Sequence, residues 1–393
     1  MRILFTVRSG LGHLHPLVPI ARAAESAGHE VAFAASRSVV PMVERAGFRC
    51  HPAGLVLDDQ STEQLVPEMR GTVGKVRAAL YWRHIFAGLA PTAMIPALLE
   101  LTSAWRPDVV VRDDTEFGGC IVAECLGVPH AAVQTTAFRP HFYDLIREPL
   151  SERRVESGLP PDPDLAMPFR YLFLSPFPPG YLDPSVTLPA TTHRLRPVPF
   201  DRSGDEPLPE WCERLPEHPT VYLSLGTVVN YRADIFRAFL EGLRDAPLNL
   251  IVTVGRDQDP AQFGPQPEHI HIEHYIPQTL LFERCALVVT HGDSGTVMAA
   301  LTHGLPMVIV PIMADQPENA ERCAALDVAR VIPLATLSAE RAAEAVRELL
   351  GQARYGQAAE RVRDEIAALP GPEYAVELLE RLAAEKRPLI AVA

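Results

Sequence analysis

His291 stands in the run Thr290-His291-Gly292-Asp293-Ser294-Gly295-Thr296, after an apolar, strand-like stretch (Leu287 to Val289) and before a helix-like one (Val297 to Thr302). Strand, glycine-bearing turn and helix start make an anion site. Backbone N–H groups there have no intrahelical partner, and the helix dipole adds positive potential. After Gly304 a second apolar run, Pro306 to Pro311, ends just before Asp315 and Gln316. In a parallel sheet both places lie at the carboxyl edge. An anion cradle beside two side chains suited to hydroxyl groups fits a sugar joined to a diphosphate.

A second place for chemistry is near the N-terminus. Gly10-x-Gly12-His13 follows the strand-like run Arg2 to Val7. It is a poor dinucleotide fingerprint. His15 occupies the third glycine position, and Ser36 and Arg37 stand where a ribose-binding acid belongs, which disfavours an oxidoreductase. His13 would sit on the carboxyl-edge turn of the first strand, where open α/β sheets bind ligands. Asp113 and Asp114 end another strand at that edge. A carboxylate accepting the histidine's Nδ1–H would orient the ring and stabilise imidazolium, so that Nε2 takes a proton from a substrate hydroxyl. The bland alternative is a turn histidine packed on the sheet. His15 reads as a bystander.

These residues need elements to hold them. Apolar strand-like runs alternate with helix-like ones: strand Arg2–Val7, helix Leu17–Ala27, strand Glu30–Ala35, helix Val39–Ala46, strand Asp108–Arg112, helix Gly118–Leu126, strand His130–Thr135. That rhythm predicts parallel βαβ units. Proline-dense residues 159–219 then predict a long irregular connection, because proline suits neither helix interiors nor central strands. A second αβ series starts at Val221–Leu225, and the last third is helical. The fold class expected is α/β, with two Rossmann-like domains. Residues 65–101 fit the rhythm poorly. Their Tyr81, Trp82 and Phe86 suit either a core-facing helix or the wall of a pocket for an apolar or aromatic ligand.

Composition narrows the classes. The chain has 393 residues, 47% hydrophobic and 22% charged, with a formal net charge of −13. The negative balance argues against nucleic-acid or anionic-membrane partners, which require basic faces. Six scattered cysteines without a CxxC suggest inert thiols in a reducing cytoplasm. No signal peptide is read at the start, and no apolar stretch is read as approaching the roughly 20 residues of a membrane span. Asp162-Pro163-Asp164 has the spacing of a metal motif but lies among the prolines and reads as loop.

Taken together, the motifs resemble those of inverting family 1 glycosyltransferases with the GT-B fold, similar to the actinobacterial enzymes that decorate polyketides and other natural products in antibiotic biosynthesis. The resemblance rests on Gly12-His13-Leu14-His15-Pro16, Ser224-Leu225-Gly226-Thr227, Tyr275-Ile276-Pro277-Gln278, the His291 turn, and Asp315-Gln316-Pro317-Glu318-Asn319-Ala320, and it spans nearly the whole chain. It implies two Rossmann-like domains facing each other across a cleft. An acceptor-binding domain would cover 1–204, a proline-rich linker 205–219 and a nucleotide-sugar domain 220–375. A tail over 376–393 could pack back on the first domain. By resemblance His13 is the general base and Asp113 its partner, with Asp114 the adjacent alternative. Gly226, Thr227, Tyr275, Gln278, His291, Ser294, Gly295, Thr296, Asp315 and Gln316 bind the donor, Tyr275 where plant relatives stack a tryptophan on the base. Tyr81, Trp82 and Phe86 line the acceptor pocket.

Two departures matter. Asp293 replaces a glycine common among relatives, and its carboxylate would repel a diphosphate unless it turns away to cap the helix. Ala299 stands where plant enzymes place a ribose-gripping glutamate, which favours a dTDP-sugar over a UDP-sugar. The implied reaction moves a sugar, a deoxysugar by preference, to a hydroxyl of a small lipophilic aglycone. It needs no cofactor and no metal, and carbon glycosylation stays open. The chain would act as a monomer or homodimer without membrane insertion. A catalytically silent sugar-nucleotide-binding protein and a sugar-nucleotide epimerase of the same fold are the rival readings.

Overall fold

The computed structural model describes residues 1–56, 59–72, 74–201, 207–226, 230–256 and 258–391. Two compact units divide the chain, and neither is contiguous. The first comprises Met1–Pro176, Pro184–Val198 and Leu369–Ala393, the second Phe177–Asp183 and Pro199–Ala368.

The first unit holds a seven-stranded sheet in the order β3-β2-β1-β4-β5-β6-β7. Its strands are β1 (Arg2–Val7), β2 (Glu30–Ala35), β3 (Cys50–Pro52), β4 (Val109–Asp113), β5 (His130–Val133), β6 (Leu172–Ser175) and β7 (Thr192–Arg194). All neighbours run parallel. β4 is buried throughout and β1 nearly so, as a sheet covered on both faces requires. Strand order reverses between β1 and β4, so the topological switch point lies there. The carboxyl ends of these two strands lead to His13 and Asp113.

The second unit repeats the plan with six parallel strands in the order β10-β9-β8-β11-β12-β13. They are β8 (Thr220–Ser224), β9 (Asn249–Thr253), β10 (Ile270–Glu273), β11 (Leu287–Thr290), β12 (Met307–Ile309) and β13 (Ala329–Val331). Side-chain alternation divides its interior into two cores. Val221, Leu223, Leu250, Val252, Leu287 and Val289 pack on one face, and Tyr222, Ile251 and Val288 on the other. The switch point falls between β8 and β11, whose carboxyl ends lead to Gly226 and His291. Each unit therefore places its candidate residues at the crevice that its own sheet topology opens.

Several local expectations need correction. Gly10–His13 is not a simple turn, since Leu11–Leu14 forms a single helical turn. The proline-dense region is not wholly irregular, because β6 and β7 form within it and extend the first sheet; each is short enough to fit between prolines. Helical structure is continuous from Gly74 to Trp105, and these 32 residues are long and apolar enough to cross a membrane by length and composition. No such stretch was expected. Trp82, Ile85, Phe86, Met94 and Leu98 pack it into the first unit's core, so its apolar character is that of a core helix. Residues Tyr81–Leu89 are wound as a π-helix. The C-terminal helix Pro372–Glu385 packs on helix Val18–Ser26 within the first unit, and His29 Nε2 meets Glu380 at 2.9 Å.

Candidate active site

In the first unit, Gly10 has a φ of 114°, a value side-chain-bearing residues avoid. The turn it permits folds His13 back over the strand ends. His13 Nδ1 then faces Thr135 Oγ1 at 3.1 Å, Asp113 Oδ1 at 3.3 Å and Thr115 Oγ1 at 3.4 Å. Sequence reasoning anticipated Asp113 here, and the two do meet. It missed both threonines. Asp113 is fully buried. Its Oδ1 accepts from Thr115 N and Oγ1, and its Oδ2 from the Arg8 backbone N–H. Burial pushes this carboxyl up, but the His13 and Arg8 charges and the His13 and Thr115 hydrogen bonds outweigh burial and hold it well below the usual range. Asp113 is thus an anion fixed toward Nδ1.

His13 Nε2 lies 2.5 Å from Arg8 Nη2. A guanidinium can only donate, so Nε2 must accept and the ring proton belongs on Nδ1. That is the tautomer a base needs.

Asp114, the adjacent alternative, is engaged by Thr135. Its Oδ1 accepts from Thr135 N at 3.0 Å and Thr135 Oγ1 at 2.7 Å, so it reaches the ring through Thr135. Glu116 accepts from Thr6 Oγ1 at 2.5 Å and from the N–H groups of Gly118 and Gly119, which start the helix Gly118–Leu126. A Cβ on Gly119 would fall 2.3 Å from Thr6 Oγ1, so only glycine fits there. Burial, aided by the Asp113 charge, pushes both Asp114 and Glu116 up to about 7.

A carboxyl raised in this way costs stability once it ionises. The cost begins near its unfolded value of about 4 and is complete above the folded value. Asp114→Asn is therefore expected to be more stable relative to wild type at about pH 8 than at about pH 5, measured by urea denaturation. An equal difference at both pH values would contradict the assignment.

In the second unit, Gly292 (φ 89°) turns the chain after β11, and Asp293 caps the helix Ser294–Thr302. Its Oδ2 accepts from Thr296 N at 3.2 Å, and its Oδ1 lies 3.3 Å from His291 Nε2. The carboxylate does cap, as expected, but it also engages the Thr296 N–H, one of the donors assigned to the diphosphate. Ser294 and Gly295 N–H remain as first-turn donors. Gly226 approaches so closely that a Cβ there would sit 2.8 Å from His291 Cε1. Thr227 lies outside the described residues.

Asp315 and Gln316 are both buried beside this turn. Asp315 Oδ2 accepts from Ser294 Oγ at 2.6 Å and from Asn319 Nδ2 at 3.1 Å. Asn319 Nδ2 also donates to Gly292 O at 3.0 Å, pinning the turn. Gln316 Oε1 accepts from the N–H groups of Ile312 and Met313, both at 2.8 Å, so its Oε1 is spent on the loop after β12. Ala299 is buried in the core.

Tyr275 and Gln278 lie on the loop after β10, and no described contact joins them to His291. Tyr275 donates its hydroxyl to Asp201 O, and the Arg256 guanidinium lies 4.1 Å from its ring centroid. Gln278 opens a short helix, Gln278–Leu281. In the first unit, Trp82 is buried, stacked on Phe142 at 5.3 Å and edge-on to Tyr143. This is the core-facing alternative rather than an open pocket wall. Phe86 reaches the site through Arg8, whose guanidinium lies 4.1 Å from its ring centroid. Tyr81 packs at the edge of that cluster, its hydroxyl 3.4 Å from Thr62 Oγ1. Asp162 accepts from Ala166 N and Met167 N, so it is loop structure.

The arrangement can do two things: withdraw a proton at His13 Nε2, and hold an anion on the helix start beside His291. Known proteins resemble the chain over nearly its whole length. A family model described as the C-terminal domain of erythromycin biosynthesis protein CIII-like proteins matches residues 238–382, and its N-terminal counterpart matches residues 22–226. An L-demethylnoviosyl transferase of Streptomyces niveus is 30% identical over 99% of both chains.

The chain belongs to the EryCIII-like, family 1 natural-product glycosyltransferases.

Other members agree. A 3-alpha-mycarosylerythronolide B desosaminyl transferase of Saccharopolyspora erythraea is 27% identical, covering 98% of this chain and 99% of its own. The structure of the Streptomyces sp. SF2575 glycosyltransferase SsfS6, complexed with thymidine diphosphate, superposes with a TM-score of 0.80 at 27% identity, over 97% of this chain and 99% of that one. The GT-B α/β class expected from the motifs is the class observed. In this EryCIII-like chain Asp293 serves as a helix cap.

Proposed function

We propose that this chain is an inverting glycosyltransferase that moves a sugar, preferably a deoxysugar, from a dTDP-sugar to a hydroxyl of a small lipophilic aglycone. His13 is its general base. The observation that carries the reading is the wiring of His13, with Nδ1 toward the Asp113 carboxylate and Thr135, and Nε2 held as the ring's acceptor by Arg8. The acceptor oxygen gives its proton to Nε2 as it attacks the anomeric carbon on the face opposite the diphosphate. The imidazolium that forms is stabilised by the anionic Asp113. Charge building on the leaving diphosphate meets His291, the Ser294 and Gly295 N–H groups and the helix dipole. Asp315 and Gln316 grip donor-sugar hydroxyls. The thymidine preference is supported by the thymidine diphosphate held by SsfS6 and by the apolar burial of Ala299.

The test is mass spectrometry of products from paired dTDP- and UDP-sugars against aromatic polyketide and macrolide aglycones. Transfer from dTDP-sugars is expected. Donor binding without transfer to any acceptor would instead indicate a silent binder. Asp315→Asn keeps one carbonyl oxygen for Ser294 and Asn319. It is expected to raise donor KM by about tenfold or more while acceptor KM stays nearly constant, the loss of one charged hydrogen bond. A larger change in acceptor KM would place Asp315 elsewhere.

A further inference from the structure

Arg8 is the residue at the site that the proposed chemistry does not use. Its side chain is held at several points. Nε donates to Thr115 Oγ1 at 2.8 Å, Nη2 lies 2.5 Å from His13 Nε2, and the guanidinium plane sits over Phe86. Its backbone N–H holds Asp113 Oδ2 at 3.1 Å. Arg8 therefore touches the base, the carboxylate behind the base and a threonine between them. It also stands where an incoming hydroxyl has to reach Nε2.

Resting on the reading of His13 as base, we propose that Arg8 is a positioning residue: with Asp113 it holds His13 in the Nδ1–H tautomer, yields Nε2 to the acceptor hydroxyl, and stays beside that oxygen during transfer. The geometry allows a small swing. The guanidinium is rigid and planar, so Nη2 leaves Nε2 by a tilt of the whole group within its plane over Phe86, hinged at the Nε–Thr115 hydrogen bond. In the transfer step the acceptor's O–H proton goes to Nε2, and the O–H electron pair becomes the new bond to the anomeric carbon. The old anomeric C–O pair leaves with the diphosphate. Arg8 gains and loses no proton. It offers a fixed positive charge to the oxygen as its proton departs, and it opposes a second proton on the ring before the acceptor arrives.

Several other groups surround the pair. Asp113, Asp114 and Glu116 come from the end of β4 and the loop after it, with Arg112 beneath that loop; Tyr81 projects from the π-helix, and Tyr143 from the helix Pro140–Glu156. Replacing Arg8 alone leaves all of them in place, so a change in His13 reports Arg8.

The experiment is nitrogen NMR of the full chain with labelled histidine, in wild type, Arg8→Met and Arg8→Lys. The His13 signal among the 14 histidines is identified by its loss in His13→Ala. Wild type is expected to show a single neutral tautomer protonated at Nδ1. In Arg8→Met the Asp113 anion still favours the proton on Nδ1, but the ring should titrate at a pH higher by about one unit or more, as removal of an adjacent cation requires. Arg8→Lys should restore most of the wild-type behaviour. In steady-state kinetics, Arg8→Met should lower kcat about tenfold or more with donor KM unchanged, and raise the acid limb of kcat/KM by the same shift. A purely structural role would leave that limb in place.

A wild-type ring protonated at Nε2, or an unchanged His13 titration in Arg8→Met, overturns the proposal. If Arg8→Met does not fold, Arg8→Gln, which keeps an N–H donor but no charge, replaces it in the titration and is held to the same upward shift. The spectra do not depend on turnover. Activity retained by His13→Ala would defeat the base reading, while the Arg8 lock would stand or fall by the spectra.

Discussion

His13→Ala is expected to lower turnover by about 10²–10⁴-fold, the span that a positioned general base supplies. The acceptor hydroxyl would then attack with its proton still in place or lose it to water. Affinity for dTDP, measured by calorimetry, should change by less than about twofold. The residues assigned to the nucleotide and diphosphate belong to the second unit, and His13 belongs to the first. The alanine leaves Asp113 bonded to Thr115 and the Arg8 backbone, so the carboxylate stays satisfied and the fold should survive. Turnover within about threefold of wild type would remove His13 from the mechanism.

Arg112→Met is expected to destabilise the chain by about 3–5 kcal/mol, the cost of stripping a buried charge from its partners. Arg112 is fully buried. Its Nη1 donates to the carbonyls of Asp113, Asp114 and Glu116 at 3.0–3.1 Å, and its Nη2 to Pro168 O at 2.6 Å. One side chain thus closes the loop that carries every carboxylate near His13. Methionine fills similar space but takes the Arg112 donors from four carbonyls in a dry interior, of which Asp113 O keeps the Glu116 N–H, and Asp114 and Glu116 lose a nearby cation. Urea denaturation gives the measurement. A loss below about 1 kcal/mol would show that the loop does not depend on Arg112.

The parallel sheets were legible because strands buried on both faces read as near-continuous apolar runs, as in Leu287–Val289 or in Ile3–Val7, where Thr6 alone is polar. The donor turn was legible because glycine, an N-cap and a strand exit must follow one another in sequence. The wiring of the base was less so. Thr135 meets His13 across 122 residues, and Thr6 meets Glu116 across 110. Nothing local in a chain announces such a hydrogen bond. Only the parallel order of β1, β4 and β5 brings these residues to one edge. Arg112 did leave a signal, a charge inside the apolar run Val109-Val110-Val111, although its four carbonyl partners could not be named from it. Strands β6 and β7 hid among prolines because three- and four-residue strands carry too few positions for a period. The aromatic segment 81–86 was ambiguous for a physical reason: a core face and a pocket wall call for the same residues, and burial alone separates them.

Direct displacement at the anomeric carbon, assisted by the His13 base, is most directly tested by the configuration of the product. Proton NMR of the glycoside formed from an α-linked dTDP-sugar should show a β linkage. An α-linked product would contradict single displacement and leave the Asp113–His13 pair without the role assigned to it.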